Sequence, residues 1–174
     1  MYLEGVPLIR TLTPDDAYAY GNTRLEALER DPQAYGSSAE EHRQLTVAHL
    51  QARIADVPGG NFTVGAFQGD ALRGMATFIR HTARNTRHSG TVVGVYVGAE
   101  LRGQGVGRHL LTLLLDRLRT YDDLERVTLS VTTTQTAARA LYRTLGFVPY
   151  GLEPGALKVN GVLFDEEHLV LALR

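Results

Sequence analysis

Three glycines, Gly103, Gly105 and Gly107, alternate with other residues between Arg102 and Arg108. Upstream, Val95-Tyr96-Val97 reads as the end of a strand, and downstream Val106, Leu110, Leu113, Leu114 and Leu118 form an apolar helical stripe. A strand that passes through a glycine turn into a helix leaves bare N–H groups where the helix begins. Such a helix start attracts phosphate, and its dipole adds about 0.3–1 kcal/mol for a nearby anion. The glycines let the backbone come close to a ligand, and Arg102 and Arg108 add positive charge. The chemistry suggested is capture of a phosphate-bearing ligand; the plainer alternative is a glycine turn with a purely structural role.

Two familiar phosphate loops fail here. A dinucleotide fingerprint needs a third glycine at position 108, where arginine stands. Gly98 and Gly103 have the spacing of a P-loop, but Gln104 occupies the lysine position. There is no cysteine, which removes disulfides, thiolate metal sites and a cysteine nucleophile. His42 and His49 lie seven apart on one predicted helix, too far for one ion, and no His-Glu-x-x-His spacing occurs, so no metal is expected. Tyr142 shares a helical stripe with Ala138, Leu141 and Leu145, and by spacing alone it is a core residue.

The elements around these residues follow from pattern. Val6–Leu12 reads as a strand. Thr13-Pro14-Asp15-Asp16 starts a helix that runs to about Arg30. Ser37-Ser38 with Glu40 and Glu41 opens a second helix, ending before Pro58. Phe62–Gln68 and Leu72–Arg80 form a hairpin across Gly69-Asp70, and 81–89 is a polar loop expected to be mobile. Thr91–Val97 is a β-branched run and is predicted as a buried strand. A helix over Gly105–Thr120, a strand over Arg126–Val131 and a helix over Gln135–Leu145 follow, the last ended by Gly146. Leu157–Val159 and Val162–Leu173 pair across Asn160-Gly161, a strong turn signal. This order predicts a mixed α/β layer with helices packed on a sheet.

The 174 residues fit one domain, 1–174, with no composition shift to mark a boundary. Lys and Arg number 18 against 19 Asp and Glu, so no basic field points to nucleic acid. Met1–Arg10 does not read as a signal peptide, and the apolar stretch around Leu110–Leu115 is far short of the roughly 20 residues of a bilayer span. A soluble, cytoplasmic protein without membrane or nucleic-acid partners is expected.

Arg102-Gly103-Gln104-Gly105-Val106-Gly107 resembles the acyl-CoA pyrophosphate loop of the GNAT superfamily of N-acetyltransferases, and Val95-Tyr96-Val97 resembles the strand that precedes it. Ala138, Leu141-Tyr142 and Gly146-Phe147 match that family's downstream Asn-x-x-Ala-x-x-Leu-Tyr-x-x-x-Gly-Phe signature. The chain from Gly151 through Glu153-Pro154 and Leu157-Lys158 to Asp165-Glu166 resembles the last hairpin of many bacterial members; before residue 60 the likeness is weak.

The resemblance implies a mostly antiparallel central sheet flanked by helices, with strands splayed at the acyl-CoA site. It implies a pantetheine arm on backbone groups around Val95 and Val97, a pyrophosphate on the amides from Arg102 to Arg108, and acetyl-CoA as cosubstrate. It implies that Tyr142 is the general acid for the departing thiolate. Gln135 stands where the family usually has a cofactor-contacting asparagine, and its longer amide is expected to keep that contact weakly or shift it. The family's strand glutamate is missing from Thr91–Val97. The proton acceptor is therefore open among Glu40, Glu41, Asp165, Glu166 and water chains to Tyr96. Tyr35, Ser37 and Ser38 are candidates for the acceptor cleft.

The activity implied is transfer of acetyl to a primary amine of a small molecule or peptide by direct attack. A non-catalytic acyl-CoA-binding or regulatory module on the same fold is the alternative. Polyamines, amino-sugar antibiotics, amino acids and protein N-termini all stay open as acceptors, and a homodimer is compatible with the family.

Overall fold

The computed structural model describes residues 6–174. The first half of the Met1–Arg10 segment, and the first five residues of the expected 1–174 domain, lie outside the described residues. The strands are β1 (Leu8–Thr11), β2 (Phe62–Gln68), β3 (Ala71–Arg80), β4 (Ser89–Val97), β5 (Arg126–Thr132), β6 (Val148–Val159) and β7 (Val162–Ala172). They form one sheet in the order β1-β2-β3-β4-β5-β7-β6. Every neighbouring pair is antiparallel except β4 and β5. The α-helices are α1 (Ala17–Arg30), α2 (Ala39–Arg43), α3 (Val47–Arg53), α4 (Val106–Leu118) and α5 (Thr136–Thr144). The expected mixed, mostly antiparallel sheet flanked by helices is the fold observed.

Two apolar clusters hold the sheet. One joins Leu110, Leu111, Leu114, Leu115 and Leu118 of α4 to Phe62, Val64, Ala66, Ala76 and Phe78 of β2 and β3. The other joins Ala17, Tyr20 and Ala27 of α1 and Leu50 of α3 to Phe67, Leu72 and Met75. Side chains that alternate along β2 and β3 thus feed opposite faces of the sheet. Leu110 and Leu114 are fully buried; truncating such a leucine to alanine costs about 2–5 kcal/mol. Leu113 is 39% exposed and lies off the stripe assigned to it, whereas Leu111 and Leu115 are on it.

Two elements, the second helix and the last hairpin, differ from the pattern reading. The single helix expected before Pro58 is two. Gln44 ends α2, and Thr46 caps α3 in a reciprocal pair with His49. The 81–89 loop is closed by His81, whose ring nitrogens meet the Ser89 and Thr91 hydroxyls at 3.0 and 3.1 Å. The last hairpin is longer than predicted, because β6 begins at Val148. Pro149, Gly151, Pro154 and Gly155 read as strand breakers, yet β6 is the outer strand of the sheet. Register shifts between Pro149 and Gly151 and between Glu153 and Leu157 absorb these residues.

Candidate acyl-donor and acceptor site

The site begins with a failure of pairing. β4 and β5 are in register only from Ser89–Thr91 to Arg126–Thr128. Gly94 then adopts φ +62°, and the β3–β4 register slips between Met75 and Thr77. This bulge changes which face the strand presents. Val92 packs in the α4 cluster, but Tyr96, four residues on, packs in the α1 cluster, and Val95 and Val97 turn toward α4. Beyond the bulge the two strands part, and a cavity of about 440 Å³ opens between them. The strand expected to be buried is therefore only partly so; Val95 and Val97 are half-buried because they line this opening.

The glycine loop forms one end of the cavity. Gly103 and Gly105 have φ of +74° and +77°, a conformation that side chains adopt at a cost. A Cβ at either would meet nothing within 4 Å, so the space beside them is open. Gly105 is the cap residue of α4, and the first intrahelical bond runs from His109 N–H to its carbonyl at 3.1 Å. The amides of Val106, Gly107 and Arg108 precede that bond and have no acceptor within the helix. Each residue predicted to hold acetyl-CoA except Gln104 lines the cavity, as does Tyr142. The Gln104 side chain instead turns back to the Glu100 carbonyl at 2.8 Å. Arg102 is already engaged: it donates to the Val97 carbonyl and to Asp31 at 2.9 and 3.0 Å, so its charge is shared. Arg108 donates to Thr144 Oγ1 at 2.7 Å.

α5 forms the facing wall through Gln135, Ala138, Leu141 and Tyr142. Tyr142 is 5% exposed, with its ring edge-on to Phe147 at 6.0 Å. Its hydroxyl has no hydrogen-bond partner among the described residues. Burial, and then the neighbouring Tyr35, push its pKa well above that of an ordinary phenol. It therefore carries its proton throughout the neutral range. Tyr35 donates its hydroxyl to the Val95 carbonyl at 3.0 Å, and burial pushes its pKa up to about 12. Tyr96 donates to Glu26 at 2.8 Å, and burial followed by that carboxylate holds its proton on.

A second cavity of about 570 Å³ shares Tyr35, Val92, Val93, Gly94 and Ser130 with the first. The two meet across the bulge. Ser37 lines the second cavity, while Ser38 caps α2 in a reciprocal pair with Glu41. Glu40, Glu41 and Asp165 line neither cavity. Of the carboxylates considered as proton acceptors, Glu166 alone lines one, and burial pushes its pKa up. Among the described residues no group of three or more histidines and acids could hold a metal ion. Arg24 also lines this cavity, and the sequence reading passed over it. Its guanidinium is 4.5 Å from the Tyr35 ring and forms no ion pair or hydrogen bond among the described residues. Burying an unpaired charge costs several kcal/mol, and a ring contact returns about 0.5–2 kcal/mol. The available signal was its place on the stripe of Ala17, Tyr20, Ala27 and Leu28, where an arginine has no reason to pack.

The family model described as the Acetyltransferase (GNAT) family matches residues 23–147. The chain belongs to the GNAT acetyltransferase family. Among curated proteins none matches its sequence. Solved structures resemble this GNAT chain over nearly its whole length. An acetyltransferase of the GNAT family from Streptococcus pneumoniae is 22% identical with a TM-score of 0.85, over 95% of this chain and 99% of its own. YncA, a putative acetyltransferase from Salmonella typhimurium with its cofactor acetyl-CoA, is 21% identical with a TM-score of 0.79, over 97% and 94%. A phosphinothricin acetyltransferase from Sinorhizobium meliloti in complex with AcCoA is 20% identical with a TM-score of 0.80, over 96% and 88%. At these identities the likeness establishes the GNAT fold.

Proposed function

We propose that this GNAT chain transfers an acetyl group from acetyl-CoA to a primary amine in the cytoplasm. One observation carries the assignment: a single cavity between parted strands has bare helix-start amides at one end and the unpartnered phenol of Tyr142 on its wall. Acetyl-CoA supplies the acetyl group as an activated thioester. The amides of Val106, Gly107 and Arg108, in a loop left open by Gly103 and Gly105, suit its pyrophosphate. The main chain at Val95 and Val97 has left β5, and although its carbonyls already accept one hydrogen bond each, from Tyr35 and Arg102, it lines the opening and suits the pantetheine arm. Two solved relatives hold acetyl-CoA, which supports the same ligand here.

The second cavity reaches the first at the bulge and receives the acceptor. An amine of lysine type has a pKa of about 10.4, so around one molecule in a few thousand is neutral at pH 7. The ammonium proton passes to Glu166, directly or through water, and its raised pKa makes it a better base than an ordinary carboxylate. The neutral nitrogen attacks the thioester carbonyl carbon and forms the C–N bond. The C–S bond breaks, the sulfur takes the Tyr142 proton, and the second proton of the attacking nitrogen returns through water to Tyr142, while Glu166 releases its proton to solvent. The balance is ammonium plus acetyl-CoA giving amide, CoA thiol and one proton to solvent. Holding both reactants at one junction supplies much of the rate, without a covalent enzyme intermediate.

The test is CoA release from acetyl-CoA in the presence of a panel of polyamines, amino sugars, amino acids and short peptides. Release that depends on at least one amine is expected. Tight acetyl-CoA binding with no amine-dependent release would instead support an acyl-CoA-binding module.

A further inference from the structure

The buried face of α1 carries one charged side chain, Arg24, which is 9% exposed. It makes no hydrogen bond or ion pair among the described residues, and its Nη1 is sealed from solvent without a partner. The less exposed arginines elsewhere are paired: Arg10 with Asp16, Arg80 with Asp123, and Arg139 and Arg143 with Glu167. The Arg24 guanidinium stacks over the Tyr35 ring. Arg53, which is exposed, lines the same cavity and has no acidic partner among the described residues. Glu166, the one acid on this lining, pairs with neither arginine.

The position of Arg24 limits what could pair with it. A Cβ on Gly94 would sit 3.7 Å from Arg24 Nη1, so the guanidinium lies beside the bulge where the two cavities join. An anion held there is close to the junction at which the amine must react. The acceptor's anion and amine are then separated by only a few bonds. Two unpaired arginines also repel polyamines and polycationic amino sugars. We propose that the acceptor is a small amino acid, its carboxylate held by Arg24 with Arg53 and its amine directed across the bulge. The cavity volume lies within the usual range for small-molecule sites. This specificity rests on the acetyl-transfer assignment above.

The experiment compares each common L-amino acid with its own carboxamide, and with spermidine, on wild-type protein and Arg24→Met. Binding to the CoA-loaded protein is followed by calorimetry, and acetylation by CoA release. At least one amino acid is expected to bind and react ten times better than its carboxamide, with spermidine inert. In Arg24→Met that preference falls by tenfold or more, while the melting temperature stays at or above that of wild type, because an unpaired buried charge has been removed. If Arg24→Met fails to fold, Arg24→Lys reads the same preference with the planar fork lost, and a severalfold drop is expected. Equal use of acids and carboxamides, preference for spermidine, or an unchanged preference in the variants would overturn the proposal. Selective binding of an amino acid without its acetylation would support this specificity and count against the transfer assignment alone.

Discussion

At the scale of single residues, the proposed reaction divides the proton chemistry between Tyr142 and Glu166. Tyr142→Phe keeps the ring against Phe147 and removes only the donor. Turnover is expected to fall by about 10²–10⁴, the usual contribution of a positioned general acid, with acetyl-CoA affinity within a few-fold of wild type. A rate-limiting chemical step that proceeds at the wild-type rate would make Tyr142 a packing residue. A thiol pKa of about 8.5 would then let the sulfur leave unaided. For Glu166 the sign of the pH effect is fixed. A base works when deprotonated, so turnover rises with pH through its ionisation. Burial moves that rise to higher pH than for an ordinary carboxylate. In Glu166→Gln the rate is expected to drop tenfold or more and the acidic limb to vanish; an unchanged limb would assign the proton to another group. The glycine loop stood out in the sequence because its residue types and spacing are local, whereas Tyr142 by spacing alone reads as core and was singled out only by the resemblance to the family signature. Arg24 did not stand out, since its meaning depends on which face of α1 packs inward and on what stands opposite it.

At the scale of elements, the loop before α4 is the test piece. Gly107 is in the first turn of the helix, where a Cβ would be 3.3 Å from Leu141 Cδ2 and 3.6 Å from Val97 Cγ2. Gly107→Glu puts bulk and negative charge among the amides assigned to the pyrophosphate. At least a tenfold loss of acetyl-CoA affinity, about 1.4 kcal/mol, is expected by calorimetry. Unchanged binding by the folded variant would remove the loop from the site. Helices α1, α4 and α5 and the β2–β3 hairpin were legible from local pattern, whereas the break between α2 and α3 was not. The upstream half of β6 was not, because its prolines and glycines are tolerated only on an outer strand, which is a property of the sheet order. The bulge at Gly94 was equally hidden. One glycine in a valine run marks a possible kink, but its direction is set by the partner strand.

At the scale of the whole molecule, a ligand that bridges β4, α4 and α5 couples elements that otherwise diverge. Binding to the native state alone adds about 2.7 kcal/mol at a hundredfold excess over Kd. For a chain of this length that raises the melting temperature by about 5–10 °C. Acetyl-CoA or CoA is expected to give such a shift and ATP or NAD little; a larger shift with ATP would point to a different phosphate ligand. The most direct measurement is a single turnover with radiolabelled acetyl-CoA and the best amine from the panel, following label on the amine and on the intact protein. The expected result is label on the acceptor nitrogen in step with free CoA thiol, with none on the protein at any time. Label that appears first on a side chain, or that stays on the thioester with every amine, would contradict direct acetyl transfer at this site.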